Sequence, residues 1–229
     1  MYKSLFIDLD DTVWAFSQNA EDTFREVYQL FGFDRYFESF EQYYFLYKKR
    51  NAELWIEYGN GEITKEELNK KRFAYPFRAI GIENPELFRD YSETFFARIP
   101  LKNKLMPHAR EALDYLAGRY RLFVLSNGFR ELQEQKMRSA GVLDYFEKVI
   151  LSEDIGVHKP HLDLFHFALS AAHTQQKEAL MIGDSWEADI VGAHKAGIHQ
   201  LYYNPSGRTG LTFNPTFEIR DWKEVTAIL

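Results

Sequence analysis

Short apolar runs and longer amphipathic stretches alternate along much of the chain, and this pattern predicts both strands and helices. The first apolar run, residues 4–8, is too short for a helix and predicts a buried parallel strand. After residue 107 the pattern predicts helices at 108–119, 131–140, 161–172, 187–196 and 222–229, and strands at 121–126, 148–152, 179–183, 199–203 and 216–220. Because alternating strands and helices form parallel sheets with right-handed crossovers, we predict an α/β fold: a Rossmann-like parallel sheet flanked by helices.

A segment with helical periodicity and little strand signal separates the first strand from the rest of this pattern. It predicts helices starting near residue 19 and at 40–54, 64–79 and 85–98. Thr64 and Glu67 have the spacing of a capping box, and Pro85 suits the first turn of a helix. We therefore predict two domains: a core of residues 1–14 and 101–229, and an all-helical insert of residues 15–100.

Composition limits the classes of partner. The 229 residues include no cysteine, which excludes disulfides and thiolate metal sites and suits a reducing cytosol. A net charge of −6 argues against a nucleic acid polymer as partner and requires a local cation for any anionic substrate. The sequence has no run of eighteen apolar residues, so we predict no membrane span. A strand starting at residue 4 leaves no room for a signal peptide. We therefore expect a cytoplasmic protein.

An acidic cluster follows the first predicted strand. Asp8 and Asp10 are two residues apart, so on an extended backbone their side chains would lie on one face. Two crowded carboxylates are unfavourable unless a cation lies between them or one of them holds a proton. The alternative is an ordinary acidic turn into a helix, with Asp11 or Thr12 as the cap.

A candidate anion site follows the second strand of the predicted sheet. Ser126 ends that strand and offers a hydroxyl, and Asn127 and Gly128 follow at the start of a helix. Free backbone N–H groups at a helix N-terminus bind anions well. The alternative for this element alone is an ordinary strand-to-helix turn.

Two further elements place a cation and two carboxylates near the same sheet edge. Lys159 precedes Pro160, which suits the first turn of the next helix and would hold the lysine extended, facing the carboxylates. Asp184 follows the strand 179–183, and Asp189 comes five residues later. The alternatives are a solvated lysine and an aspartate that caps a helix.

The order of these elements resembles that of the haloacid dehalogenase-like (HAD) superfamily, and the resemblance covers the whole chain. It implies that Asp8 is the nucleophile and Asp10 the general acid/base, and that the helical insert is the cap domain of this superfamily. It also implies roles for the remaining residues: catalysis for Lys159, substrate binding for Thr12, Ser126, Asn127 and Gly128, Mg²⁺ binding for Asp8, Asp10 and Asp184, and for Asp189 either support of the metal shell or orientation of Lys159.

Within the superfamily the residues favour a phosphatase. Dehalogenases lack the second acidic residue because no leaving alcohol needs a proton, whereas Asp10 is present here. Residues 54–64, 127–129, 132–133 and 144–146 resemble bacterial 5′-nucleotidases that act on pyrimidine and non-standard nucleotides. This resemblance implies a Mg²⁺-dependent phosphomonoester hydrolase with an aspartyl-phosphate intermediate, whose substrate is a small phosphorylated metabolite, a nucleoside 5′-monophosphate. Trp55 and Tyr58 would then present a ring face to the base.

Several alternatives stay open at this point. A sugar-phosphate phosphatase or a phosphomutase of the same superfamily fits the same motifs, and Trp55 can instead close the core of the helical insert. A phosphate-accepting signalling domain also uses an acidic pair, a hydroxyl and a lysine around Mg²⁺. It would need an acceptor aspartate at the end of a later strand, but the candidate strands end at Ser126 and Ser152. A catalytically inactive binding protein is the remaining option.

Overall fold

The computed structural model describes residues 1–229 and contains one six-stranded sheet. Its strands are β1 (Ser4–Ile7), β2 (Arg121–Ser126), β3 (Lys148–Leu151), β4 (Ala179–Gly183), β5 (His199–Tyr203) and β6 (Phe217–Ile219). They lie in the order β3-β2-β1-β4-β5-β6, and every neighbouring pair is parallel. The predicted α/β fold is confirmed.

Eight α-helices accompany the sheet. They are α1 (Phe16–Leu30), α2 (Phe40–Gly59), α3 (Lys65–Arg78), α4 (Pro85–Arg98), α5 (Ala109–Ala117), α6 (Arg130–Ser139), α7 (Leu162–Ala171) and α8 (Gly192–Lys195). The chain divides into two compact units, one of Met1–Ser17 with Pro100–Leu229 and one of Gln18–Ile99. The sheet belongs to the first unit, called the core below, and the second is helical. No helix is both long and apolar enough to cross a membrane.

β1 is a central strand of the sheet and lies between β2 and β4. Its largely apolar sequence suits this position, because a central strand is covered on both faces. All four residues of β1 are buried. Phe6 of β1 packs with Phe123 of β2, Met181 of β4 and Phe165 of α7 in one continuous apolar cluster. Apart from the buried Ser4, the residues of β1 are apolar, and the polar groups of the candidate site lie where the strands end.

The helical unit is held together by local caps and an aromatic interior. Thr64 and Glu67 form the predicted capping box at the start of α3, and the Asn84 side chain accepts a hydrogen bond from the Leu87 N–H at the start of α4. Inside the unit, the centroid of the buried Phe24 ring lies 4.2 Å from both the Tyr47 and the Phe95 ring centroids. Such aromatic pairs add stabilisation beyond the area that they bury.

The helix predicted at 40–54 continues to Gly59, and three other predicted features also differ in the structure. The helix predicted at 187–196 is a π-helix, Trp186–Val191, followed by the short α8, and the Ser185 carbonyl accepts from both the Asp189 and the Ile190 N–H. The final helix is a 3₁₀-helix, Trp222–Ala227. Pro160 does not lie in the first turn of a helix: it follows Lys159 through a cis peptide bond, and α7 begins only at Leu162.

We expect the aromatic interior to set the stability of the helical unit. Phe24 is 1% exposed, so Phe24→Ala removes a ring from a packed interior and should cost about 3–5 kcal/mol of unfolding free energy. Phe45→Ala is the matched control, because Phe45 is 65% exposed and should change stability by less than about 0.5 kcal/mol. Guanidinium denaturation monitored by circular dichroism measures both, and equal losses for the two variants would contradict the prediction.

Candidate active site

The candidate site lies where three neighbouring strands end. The register of the sheet pairs Ile7 of β1 with Val124 of β2 and Ile182 of β4. The Asp8 N–H continues this pairing by donating to the Ile182 carbonyl at 2.9 Å. Asp8, Ser126 and Asp184 therefore follow or end strands at the same sheet edge, because the carboxyl ends of parallel strands meet there.

Lys159 is the cation of this edge. Its buried Nζ donates to Asp8 Oδ1 at 2.6 Å, to Asp189 Oδ1 at 2.6 Å and to the Leu125 carbonyl at 2.7 Å, which uses all three donors of the ammonium. Burial by itself would lower the pKa of Lys159, but Asp189 and Asp8 outweigh burial and raise this pKa above the ordinary lysine value. Of the two roles predicted for Asp189, the structure therefore shows contact with Lys159.

Three carboxylates surround this ammonium. Ligand oxygens of Asp8, Asp184 and Asp189 all lie within 4.8 Å of one another. The Thr12 hydroxyl lies between two of them, 2.9 Å from Asp184 Oδ1 and 3.3 Å from Asp8 Oδ2. Thr12 is fully buried and also accepts from the Asp184 N–H at 3.0 Å, so it holds the carboxylates and has no surface for the substrate contact that the resemblance implied.

The charge of this cluster fits a divalent cation. When ionised, the three carboxylates and the single ammonium leave a local charge of about −2. Burial, together with the charge of Asp189, raises the pKa of Asp184 to about 7. Carboxylate oxygens are the ligands that Mg²⁺ prefers, so Asp8, Asp184 and Asp189 are the side chains best placed to hold it.

The loop after β2 is tied to Lys159. The Asn127 side chain accepts from the Lys159 N–H at 2.8 Å and donates to the Lys159 carbonyl at 3.1 Å. The Gly128 N–H, expected to be free for an anion, donates instead to Ser126 Oγ at 3.1 Å. Asn127 thus fixes the backbone that carries the lysine, and a substrate contact by Asn127, Ser126 or Gly128 stays a prediction.

Asp10 lies apart from the carboxylate cluster. Its Oδ1 pairs with Lys136 Nζ at 2.9 Å, and its Oδ2 accepts from Gln133 Nε2 at 2.9 Å. The three carboxylates whose oxygens lie within 4.8 Å of one another do not include Asp10, and its predicted metal role stays a prediction. β1 ends at Ile7, and the Asp8 and Asp10 carboxylates contact different lysines, so the expectation that the two share one face of an extended strand stays a prediction.

Sequence reasoning did not assign a site role to either Gln133 or Lys136. Both lie on α6 three residues apart, so they share one helix face. This spacing, directly after the Ser-Asn-Gly turn, was the available signal. For Asp11 the alternative of a helix cap holds. Its carboxylate accepts from the Ser17 N–H at 2.8 Å and from the Ser17 hydroxyl at 2.6 Å at the start of α1.

Trp55 and Tyr58 belong to α2 of the helical unit. Their ring centroids lie 5.7 Å apart in an edge-to-face arrangement, and the Arg72 guanidinium carbon lies 5.9 Å from the Trp55 ring centroid. Trp55 is half-buried. The proposed contact of these two rings with a nucleobase stays a prediction.

A sequence model of the haloacid dehalogenase-like hydrolases matches residues 2–197. The chain belongs to this family. The predicted resemblance is thereby confirmed, and membership in a hydrolase family decides between an enzyme and a signalling domain in favour of the enzyme.

Named relatives of this HAD-like hydrolase match over nearly its whole length. It is 29% identical to the pyrimidine 5′-nucleotidase YjjG of Escherichia coli (strain K12), over 98% of this chain and 96% of the relative. It is also 29% identical to the pyrimidine 5′-nucleotidase PynA of Streptococcus pneumoniae, over 98% of this chain and 93% of the relative. Together with the family, these relatives confirm the predicted enzyme class, phosphoric monoester hydrolase.

A solved structure supports the fold of the HAD-like hydrolase. The crystal structure of the HAD-hydrolase YfnB of Bacillus subtilis, which is bound to magnesium, superimposes with a TM-score of 0.88. It covers 100% of this chain and 98% of the YfnB chain at 26% sequence identity.

We expect cation binding by this HAD-like hydrolase to strengthen as the pH rises through about 7. Burial raises the pKa of both Asp8 and Asp184, the latter to about 7, so below that pH a cation must displace a proton from this carboxylate pair and affinity should fall by up to about tenfold per pH unit. Calorimetric titration with Mg²⁺ at pH 6 and pH 8 measures the effect. Asp184→Asn is the control, because it removes this titrating group and should weaken both the binding and its pH dependence. Equal dissociation constants at the two pH values for the unaltered protein would contradict the prediction.

Proposed function

We propose that this HAD-like hydrolase is a Mg²⁺-dependent phosphatase of nucleoside 5′-monophosphates that works through an aspartyl-phosphate at Asp8. One observation carries the proposal: the Asp8 carboxylate is oriented by the Lys159 ammonium at 2.6 Å and lies beside Asp184 and Asp189 at the edge of the sheet. A carboxylate fixed in this way can act as a nucleophile that divides hydrolysis into two easier steps.

The Asp8, Asp184 and Asp189 carboxylates fit Mg²⁺, because they supply buried oxygens and excess negative charge. A bound Mg²⁺ would offset the negative charge of the phosphoryl group. The magnesium in the YfnB structure is consistent with this assignment for a relative of the same fold.

The protein residues supply the remaining steps. A carboxylate oxygen of Asp8 attacks phosphorus, and the bond from phosphorus to the ester oxygen breaks. In its protonated form Asp10 gives a proton to that leaving oxygen, and the resulting carboxylate, held by Lys136 and Gln133, then takes one from the water that hydrolyses the aspartyl-phosphate. Water attack releases inorganic phosphate and restores Asp8. Lys159 keeps Asp8 oriented throughout, and its positive charge stabilises the negative charge that develops at the reacting phosphate.

The nucleotide part of the proposal comes from the helical unit and from the named relatives. YjjG and PynA are pyrimidine 5′-nucleotidases. The helical unit is rich in aromatic residues, and Trp55 and Tyr58 lie in the last turns of α2, which ends at Gly59. A ring that stacks on a base contributes about 1–3 kcal/mol, which would distinguish a nucleotide from a sugar phosphate. We propose this role for Trp55, and we propose that the helical unit is the cap domain.

We expect Asp8→Asn to reduce phosphate release from an aryl phosphate to background, because an amide neither attacks phosphorus nor binds Mg²⁺ as an anion. Asp11→Asn is the matched control. It makes the same chemical change three residues away at a helix cap, where asparagine caps as well as aspartate and tolerates the left-handed backbone of this position (φ 58°). The control should keep most of the activity. Both variants are assayed with and without Mg²⁺. An Asp8→Asn variant with unaltered turnover would contradict the nucleophile assignment.

We expect Trp55→Ala to lose preference for nucleotides and to keep the basic phosphatase reaction. The ratio of kcat/KM for deoxyribonucleoside monophosphates to that for hexose phosphates should fall by about 10–100-fold, the equivalent of one lost stack. Phe45→Ala, another aromatic truncation on α2, should leave this ratio unchanged. Equal use of hexose phosphates and nucleotides by the unaltered protein would contradict the nucleotidase proposal and leave the phosphatase standing.

A further inference from the structure

We propose that Gln133 and Lys136 are positioning residues for Asp10, and that Gly128 provides the space that Gln133 requires. The proposal rests on the proposed function, in which Asp10 moves the proton. It adds a second set of residues, carried by α6, to the Asp8–Lys159 centre.

The first observation is that both oxygens of Asp10 are held. Lys136 Nζ lies 2.9 Å from Oδ1, and Gln133 Nε2 lies 2.9 Å from Oδ2. Gln133 is fully buried and Lys136 is 3% exposed, so water has little access to the two donors, whereas the Asp10 side chain is partly exposed. Two donors on the two oxygens define the plane of the carboxylate, since rotating it would break both contacts.

The second observation is that Gln133 links Asp10 to the loop after β2. The other N–H of its amide donates to Ser126 Oγ at 2.7 Å. Its Oε1, by contrast, is buried without a hydrogen-bond partner. A buried unpaired acceptor is destabilising, so packing alone would favour an apolar side chain at this position. The hydrogen bonds that the Gln133 amide donates to Asp10 and Ser126 therefore explain why a glutamine, and not an apolar residue, occupies this position.

The third observation concerns the space beside Gln133. A Cβ atom at Gly128 would lie 2.2 Å from Gln133 Nε2 and 2.5 Å from its Cδ. Gly128 has no left-handed backbone conformation, so backbone geometry does not require glycine here. The close approach of the Gln133 side chain does. Alanine at residue 128 would push this amide away from Asp10 and Ser126 while keeping the backbone N–H.

The fourth observation is the aromatic surround of Lys136. Its Nζ lies 4.7 Å from the Trp14 ring centroid and 5.1 Å from the Phe16 ring centroid, both in the core unit. Ring faces attract a cation and exclude water. The ammonium is thereby directed at Asp10, its ion-pair partner.

The test is how strongly each variant depends on the leaving group. Proton donation matters for a poor leaving group, such as an alkyl alcohol, and little for a good one, such as a nitrophenol. Rapid-quench measurement of phosphoenzyme formation from an aryl phosphate and an alkyl phosphate gives the two rates separately. Gln133→Ala and Lys136→Met should each slow the alkyl reaction by about 10–100-fold, part of the ~10²–10⁴-fold that proton transfer contributes, and change the aryl reaction little.

Gly128→Ala tests the same contact from the other side. It should reproduce the selective loss of Gln133→Ala, and the double variant should be no worse than either single one, because both remove the same interaction. Additive losses would overturn the role of Gly128. Gly128→Ala also keeps the proposal testable where a change in the buried Gln133 prevents folding, which thermal unfolding of each variant would reveal.

Asp10→Asn separates this proposal from the proposed function. If Asp10→Asn slows the alkyl reaction selectively but the α6 variants slow both reactions equally, Gln133 and Lys136 are structural and the positioning proposal is wrong. If Asp10→Asn itself shows no dependence on the leaving group, the acid/base assignment fails and this proposal fails with it. Selective losses in all of these variants support it.

Discussion

The buried ion pairs of Lys159 hold the candidate site together. A lysine ammonium with no access to water is unfavourable unless its charge and all its donors are satisfied. Here Asp8 and Asp189 supply the charge, and the Leu125 carbonyl takes the third donor. Removing either carboxylate would leave a buried charge without adequate compensation. The same contacts that stabilise Lys159 therefore fix the orientation of the proposed nucleophile, so the stability of this edge and its chemistry depend on one group.

Close approach of side chains to backbone is the second constraint. A Cβ at Gly183 would lie 2.2 Å from Asp189 Oδ2, and a Cβ at Gly128 would lie 2.2 Å from Gln133 Nε2. Each glycine ends or follows a strand and faces a polar side chain delivered by the next helical segment. Glycine at these two positions allows the carboxylate and the amide to reach across the ends of neighbouring strands, where a larger residue would displace them.

The two units divide the requirements of the proposed reaction. Every hydrogen bond and ion pair described for Asp8, Asp10, Lys159 and Asp184 lies within the core. The helical unit has its own caps and its own aromatic interior, with Phe24 at its centre. The residues proposed for the phosphoryl chemistry are therefore held by contacts inside the core alone. The proposed role of Trp55 in selecting a nucleotide follows this division.

The sequence alone was sufficient for features that depend on neighbours along the chain. Strand and helix periodicity predicted the parallel sheet, Thr64 and Glu67 predicted a capping box, and the strand ends brought Asp8, Ser126 and Asp184 to one edge. Partners far apart in sequence were decided only by the tertiary structure. Lys136 is 126 residues from Asp10, and Thr12 is 172 residues from Asp184. Their contacts depend on how α6 packs and how the chain turns after β1, because side-chain direction at a strand end or on a helix face is set by packing rather than by local pattern.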